Sequence, residues 1–357
     1  MRAIHQFVAG FSNGDAISNE AFVLRSVFRS WGHPSDIFCE TRRTLPELRK
    51  EAEDISACAA AIKPDDVALL HLSVGSDVND AFAALPCRKA ILYHNITPAE
   101  YFYGLQENIA MLLARGREQA RALAGKAQVV MADSAFNAKE LEQWGYGPAG
   151  VLPLVLDLER LRSKPNRAVL REYDDDLVNV LFVGRCVPNK RLEDALSAFY
   201  YFQRYIEPNS RFIHVGSYAG TEQYHALLLT RVREFQINHI AMPGAVRQDE
   251  LNAYYRSADL FLSMSEHEGF CIPLIESMVH DLPILAYAAG AVPETLDGAG
   301  VLFREKRFDL VAEMMGRLVR DTALRDAVIA GQRGRLARYE KRDLASELRG
   351  FLNPILT

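Results

Sequence analysis

Short apolar runs of strand length alternate with helical patterns along almost the whole chain, and this rhythm stops once and then restarts. Such alternation implies parallel strands joined by crossover helices, and so doubly wound sheets. The strand candidates are residues 3–9, 36–39, 67–72, 90–94, 129–132 and 151–154, then 178–183, 211–215, 240–242, 260–263 and 283–287. Helical patterns lie between them, as at 103–124 and 135–144. Asp15 is a fitting N-cap for the first helix and Gly32 a fitting stop. The interruption, 158–177, holds Ser163-Lys164-Pro165-Asn166 and the acidic run Asp174-Asp175-Asp176, and it reads as a linker without an acidic metal motif.

A chain of 357 residues exceeds what one core usually supports. Two Rossmann-like domains facing a central cleft are expected, over residues 1–160 and 178–340. Residues 161–177 would link them, and 341–357 would form a C-terminal helix packing back on the first domain. In such sheets ligands bind where loops leave the carboxyl ends of strands, so functional residues are sought there.

The formal net charge of −5 argues against nucleic acid as a partner, since a phosphate backbone calls for a basic face. Five scattered cysteines without a CxxC pair suit a reducing compartment. The start of the chain is too short and polar for a signal peptide, and no apolar run approaches the roughly 18 residues of a membrane span. A cytoplasmic protein is expected, either free or peripheral at the inner face of the membrane. Arg115, Arg117, Arg121 and Lys126, with Met111, Leu112 and Leu113, make either a basic amphipathic face or a helix packed on the first sheet.

Two stretches carry chemistry. Ser265-Glu266-His267-Glu268-Gly269-Phe270-Cys271-Ile272-Pro273 follows the strand at 260–263 and enters a helix that bears Glu276. Free N–H groups at a helix start suit a phosphate or sugar oxygen. Glu268 and Glu276, seven residues between them, could accept hydrogen bonds from different hydroxyls of one extended ligand. The other stretch, Gly184-Arg185-Cys186-Val187-Pro188-Asn189-Lys190, follows the strand at 178–183. Arg185 and Lys190 could neutralise a diphosphate, the arginine by forked hydrogen bonds and the lysine as a point charge. Taken alone, each stretch also reads as an ordinary solvated loop or helix cap.

Together these residues resemble retaining glycosyltransferase family 4, of the GT-B fold, over nearly the whole chain and most strongly from 180 to 303. The family's paired glutamates match Glu268 and Glu276, and its Gly-Arg…Lys diphosphate site matches Gly184, Arg185 and Lys190. Pro243-Gly244-Ala245-Val246 and Gly290-Ala291-Val292-Pro293-Glu294 are similar to segments that flank the signature. Cys271 departs from it, standing where many members carry glycine.

The resemblance implies that Glu268 contacts donor-sugar hydroxyls, that Glu276 holds the ribose, and that Val246 lies by the nucleobase. It implies that Gly269, Phe270, Cys271 and Ile272 offer main-chain groups to the donor. In the first domain it places Gly14 near phosphate and acceptor, and His94 against the donor sugar; a lone histidine after a strand also reads as a satisfied loop residue.

The function implied is front-face transfer with retention, moving a hexose (mannose or glucose, from GDP-mannose or UDP-glucose) to a sugar or lipid-linked oligosaccharide in polysaccharide synthesis. Neither cofactor nor metal is expected, and the nine histidines show no paired metal spacing. No strand leads into a helix through GxGxxG, which removes the main sign of a nicotinamide dehydrogenase, and Ser263 and Ser265 lack a GxSxG elbow. A sugar-nucleotide epimerase, a phosphorylase on the same architecture and a silent nucleotide-sugar binder are the alternatives.

Overall fold

The computed structural model describes residues 2–12 and 15–357. It has two compact units, one of Met1–Tyr103, Glu107–Leu156 and Asp343–Thr357, the other of Gly104–Gln106 and Asp157–Arg342. Gly14 lies outside the described residues.

The sheet of the first unit has seven strands, β1 (Ile4–Val8), β2 (Ile37–Cys39), β3 (Glu53–Asp54), β4 (Val67–Leu72), β5 (Arg88–Tyr93), β6 (Val129–Ala132) and β7 (Gly150–Val151). All run parallel in the order β3-β2-β1-β4-β5-β6-β7. Every residue of β1 and β4 is buried, as expected of strands covered on both faces. Three polar residues in those strands, His5, Gln6 and His71, therefore need partners.

The first helix, Ala16–Ser30, begins where expected: Asp15 accepts from the Ser18 amide at 2.9 Å. At its end Gly32 takes φ +87°. The His33 amide reaches back to Phe28 O and the Gly32 amide to Arg29 O, both at 3.0 Å, which is the Schellman closure. The helix expected from 103 starts at Glu107 instead, because Gly104 breaks the chain with φ +76° and Leu105 packs into the second unit's core.

The second unit repeats the winding with six strands, β8 (Val178–Val183), β9 (Ser210–Val215), β10 (Ile240–Gly244), β11 (Leu260–Ser263), β12 (Ile284–Tyr287) and β13 (Val301–Phe303). They are parallel in the order β10-β9-β8-β11-β12-β13. Phe182, Phe199, Phe202 and Phe212 fill its core together with the helix Phe308–Arg320.

The expected linker belongs to this unit. It carries the helix Arg167–Glu172, capped by Asn166, whose Nδ2 donates to Asp249 Oδ2 at 3.0 Å. The acidic run is not wholly solvated, since Asp175 accepts from Arg211. Three helices follow β13, Phe308–Arg320, Thr322–Glu340 and Leu344–Leu356, and the last lies in the first unit's core, as expected of the C-terminal segment.

The basic residues of the helix Glu107–Ala122 are mostly engaged. Arg115 donates to Asp77 at 2.7 Å and Asp80 at 2.9 Å, and Arg117 to Glu140 at 2.8 Å. Arg117 and Arg121 also lie over Trp144, at 4.7 and 5.3 Å. These partners favour a helix packed on its own sheet over a free basic face. Among the described residues no helix is long and apolar enough to cross a membrane.

Candidate functional site

The strand order of the second sheet reverses between β8 and β11, with β9 and β10 added on one side and β12 and β13 on the other. Ligands of doubly wound sheets bind outside the strand ends at such a point. The loops leaving β8 and β11 are the ones that carry both motifs.

After β8, Gly184 adopts φ +149°, a region open to glycine, and packs so closely on Gly216 that a Cβ there would lie 1.8 Å from Gly184 O. His214 on β9 donates from Nε2 to that same carbonyl at 2.9 Å. Burial holds the His214 ring down to about 4, so it is neutral and a carbonyl partner fixes its proton on Nε2. Arg185 is exposed, and the single turn Pro188–Lys190 follows. Asn189 joins the two loops: its carbonyl accepts from the Glu266 amide at 2.9 Å and its Nδ2 donates to His267 O at 3.1 Å.

Lys190 and Glu268, read from separate motifs, meet directly. Lys190 Nζ donates to Glu268 Oε1 at 2.5 Å, with side chains 17% and 8% exposed. Burial opposes charge on the lysine, but the carboxylate outweighs it and holds the ammonium above its ordinary range. A ligand that takes either group must therefore enter an existing ion pair.

The main chain of Glu268 is clamped by the loop after β12. Ala291 donates to Glu268 O at 2.9 Å, and a Cβ on Gly290 (φ +57°) would lie 2.5 Å from that oxygen. Cys271 stands at the N-cap of the helix Ile272–Val279 with φ +70°, the left-handed conformation for which glycine is better suited. Its thiol is buried, and burial together with Glu268 pushes its pKa up. The Phe270 ring packs edge-on to Tyr339 at 6.0 Å and its carbonyl accepts from Thr295 Oγ1, so its side chain serves packing. Gly269 on the same loop and Ile272 at the start of the helix are half-buried, whereas Val246 lies on the loop after β10 at the sheet edge.

Glu276 sits on the helix Ile272–Val279 and accepts from the Tyr255 hydroxyl at 2.6 Å. Burial raises its pKa, while the Tyr255 hydrogen bond and then Arg160 lower it. Tyr255 is itself buried and stacked on His280.

Sequence reasoning gave no role to Asn189, His214 or Tyr255, nor to Lys306, which bridges Asp194 and Glu266 at 2.7 Å each. Their partners come from elements distant in sequence, so local spacing carries no sign of them.

In the first unit His94 follows β5, but its side chain is only 1% exposed. Nε2 faces His71 Nδ1 at 2.9 Å and Nδ1 faces Asp133, so both ring nitrogens are engaged. The His94 ring is thus turned into the unit, and the main chain is the more exposed part of the residue. A cavity of about 220 Å³ lies beside the loop after β1, lined by Gly10, Phe11, Ser12, Asp15 and Arg43 among others.

Residues 164–335 match the family model described as glycosyl transferases group 1. The chain carries a group 1 glycosyltransferase domain. The matched stretch includes Gly184, Arg185, Lys190, Glu268 and Glu276, and excludes His94 and Gly14.

The chain is 27% identical over 227 residues to a GDP-mannose-dependent alpha-(1-6)-phosphatidylinositol monomannoside mannosyltransferase of Mycobacterium tuberculosis, covering 58% of this chain and 57% of that protein. It is 29% identical over 143 residues to the alpha-monoglucosyldiacylglycerol synthase of Acholeplasma laidlawii, covering 40% and 35% respectively. The alignments thus span just over half of the first relative and about a third of the second.

Among solved structures, sucrose-phosphate synthase from Thermosynechococcus elongatus superposes with a TM-score of 0.77 at 16% identity, covering 99% of both chains. Anabaena Alr3699/HepE in complex with UDP and glucose gives 0.75 at 15%, again over 99% of both. At such identity the likeness concerns the fold, and that fold is GT-B.

Proposed function

We propose that this chain is a retaining glycosyltransferase moving a hexose, mannose or glucose, from a nucleotide diphosphate sugar to a sugar or lipid-linked oligosaccharide, without a metal. The observation that carries the reading is the Lys190–Glu268 pair, held by three loops at the reversal point of the group 1 domain's sheet, with Arg185 beside it in sequence and Glu276 on the next helix. A mannosyltransferase and a glucosyldiacylglycerol synthase among the relatives support a hexose donor and a glycolipid or glycan acceptor.

In the proposed step the anomeric carbon loses its bond to the diphosphate oxygen and gains one to the acceptor hydroxyl oxygen on the same face. The acceptor proton passes to the departing phosphate oxygen, so no strong protein base is needed. Negative charge grows on the diphosphate, where Arg185, Lys190 and the amides at the start of Ile272–Val279 would stabilise it. Donor binding draws Lys190 towards phosphate and frees Glu268 for sugar hydroxyls. Positive charge develops on the sugar beside that carboxylate.

Glu276 serves the ribose in this reading, with Tyr255 orienting it. Glu276→Gln is expected to raise the donor KM by roughly 10–100-fold, the scale of a hydrogen bond to a charged group, and to leave kcat nearly unchanged. An equal fall in kcat would move Glu276 to the reacting centre.

The reading as a whole is tested by incubating the protein in EDTA with GDP-mannose, UDP-glucose and related donors, plus sugar and lipid-linked acceptors. Proton NMR then reads the anomeric configuration of the product. The expected result is transfer at an unchanged rate, with the donor's configuration kept. Inversion would remove the retaining assignment, and activity lost to EDTA but restored by manganese would remove metal independence. A donor altered without any acceptor would point to an epimerase.

A further inference from the structure

Four neighbouring strands of the first sheet each lead to one polar side chain: Gln6 from β1, His71 from β4, His94 just after β5 and Asp133 just after β6. They form a continuous row. Gln6 Nε2 donates to Ala21 O at 2.9 Å, which turns its Oε1 towards His71 Nε2, 3.0 Å away. His71 Nδ1 is 2.9 Å from His94 Nε2, and His94 Nδ1 is 3.0 and 3.1 Å from the two Asp133 oxygens. From the helix Ala16–Ser30, Glu20 Oε2 lies 3.5 Å from His94 Nε2 and 3.9 Å from His71 Nδ1. The four ionisable side chains are 0–2% exposed.

The protons in this row can be counted. Gln6 Oε1 can only accept, so His71 Nε2 carries a hydrogen. An ionised Asp133 can only accept, so His94 Nδ1 carries another. Two neutral rings would then aim lone pairs at each other across 2.9 Å, and one further proton is required there.

Glu20, His71 and His94 are also the donor types of a metal site. The ring geometry favours a proton. The ring planes differ by 3° with centroids 5.1 Å apart, so the rings lie edge to edge with nitrogen facing nitrogen. A tetrahedral ion with about 2.0–2.1 Å to each nitrogen would hold the two roughly 3.3 Å apart with their lone pairs meeting off the line, whereas here they face each other at 2.9 Å.

We propose that the extra proton resides on His94, and that Gln6, His71, Asp133 and Glu20 are positioning residues that lock this imidazolium and thereby fix the turn leaving β5. That turn is held at other points too. Asn95 stands at φ +72° with its Nδ2 donating to Asn137 Oδ1 at 2.8 Å, and the Ile96 amide donates to the Tyr93 hydroxyl oxygen at 2.9 Å. It lies at a strand carboxyl end, where ligands of such sheets bind, so its shape bears on catalysis. The consequence for transfer rests on the proposed function; the protonation state does not.

The charged groups facing His94 agree with this placement. Burial works against its charge, but Asp133, then Glu20 and Asp15, outweigh it and hold the ring up to about 9. His71 is kept neutral by burial and by the charge of His94. Burial pushes Asp133 up and His94 pulls it down. The second carboxylate, Glu20, favours the cation over a neutral Asp133–His94 pair. The folded pKa of His94 lies above its ordinary value, so this stabilisation is complete below about pH 6.5 and disappears as pH rises through about 9.

The test is nitrogen-15 NMR of histidine-labelled full-length protein, with His94→Gln used for assignment. One imidazole is expected to have both nitrogens protonated at pH 8 and to titrate near 9. In wild-type protein the thermal midpoint should fall between pH 7 and 10. Asp133→Asn should raise the donor KM and change the alkaline limb of the rate profile, with Asp133→Glu restoring both. If all nine histidines are neutral at pH 8, or if elemental analysis finds stoichiometric zinc, the proposal is overturned. The wild-type titration decides even if a variant fails to fold. A chain that carries the imidazolium but transfers no sugar would sink the proposed function alone.

Discussion

Arg185→Ala is expected to lower kcat for sugar transfer by roughly 10²–10³, or about 2.7–4 kcal/mol, because it removes a preorganised donor from the place where diphosphate charge grows. Arg185 is exposed at the carboxyl end of β8, so the fold should be untouched. Its loss is therefore a cleaner probe than that of Lys190. Lys190→Ala would strand Glu268, which is 8% exposed, and removing one partner of a buried pair typically costs about 3–5 kcal/mol. Glu268→Gln leaves the ammonium without its counter-charge in the same way. A fall in kcat for those two variants thus mixes chemistry with local unfolding. Circular dichroism and thermal midpoints of all three, beside steady-state kinetics, separate these contributions. If Arg185→Ala and Glu268→Gln both keep near-normal kcat, the reacting centre lies elsewhere.

The same contrast between local and long-range information explains what the sequence made legible. Val67–Leu72, Val129–Ala132, Val178–Val183 and Leu260–Ser263 match expectation to the residue, because buried parallel strands are short apolar runs and turn residues bound them. β3 carries no such sign. It is two residues long, Glu53 and Asp54, and its ladder is set by β2 rather than by any apolar pattern. The two chemical motifs could be read because each is contiguous. Their meeting through Lys190 and Glu268, 78 residues apart, depends on β8 and β11 being neighbours. His71 and Asp133 gave no signal at all. The sheet order alone sets them in line with His94, and the burial that results is why the ring faces other side chains instead of open solvent.

The C-terminal helix should matter as much for stability as Arg185 does for rate. Leu344–Leu356 places Leu348, Leu352 and Ile355 in one core cluster with Ile4, Leu69, Leu92 and Met131 of the first sheet, and all three are at most 2% exposed. The strand residue Gly150 accepts the Phe351 ring so closely that a Cβ would lie 2.2 Å from it. Arg88 donates to Ile355 O at 2.8 Å, placing a cation at the helix end where the dipole favours one. Leu352→Ala is expected to cost about 2–5 kcal/mol through lost transfer energy and the cavity left behind. Leu348→Ala with Leu352→Ala should remove much of the roughly 5–15 kcal/mol that separates a folded domain from its unfolded state. Arg349→Ala, on the exposed side of the same helix and 5.6 Å over Trp31, should cost less than about 1 kcal/mol. Urea unfolding followed by the fluorescence of Trp31 and Trp144, both in the first unit, compared with a hydrogen-exchange map of each unit, measures both. Loss of protection in β1, β4 and β5 with β8 and β11 unchanged is the expected pattern. Wild-type protection throughout the double variant would show that these leucines are dispensable to the first unit.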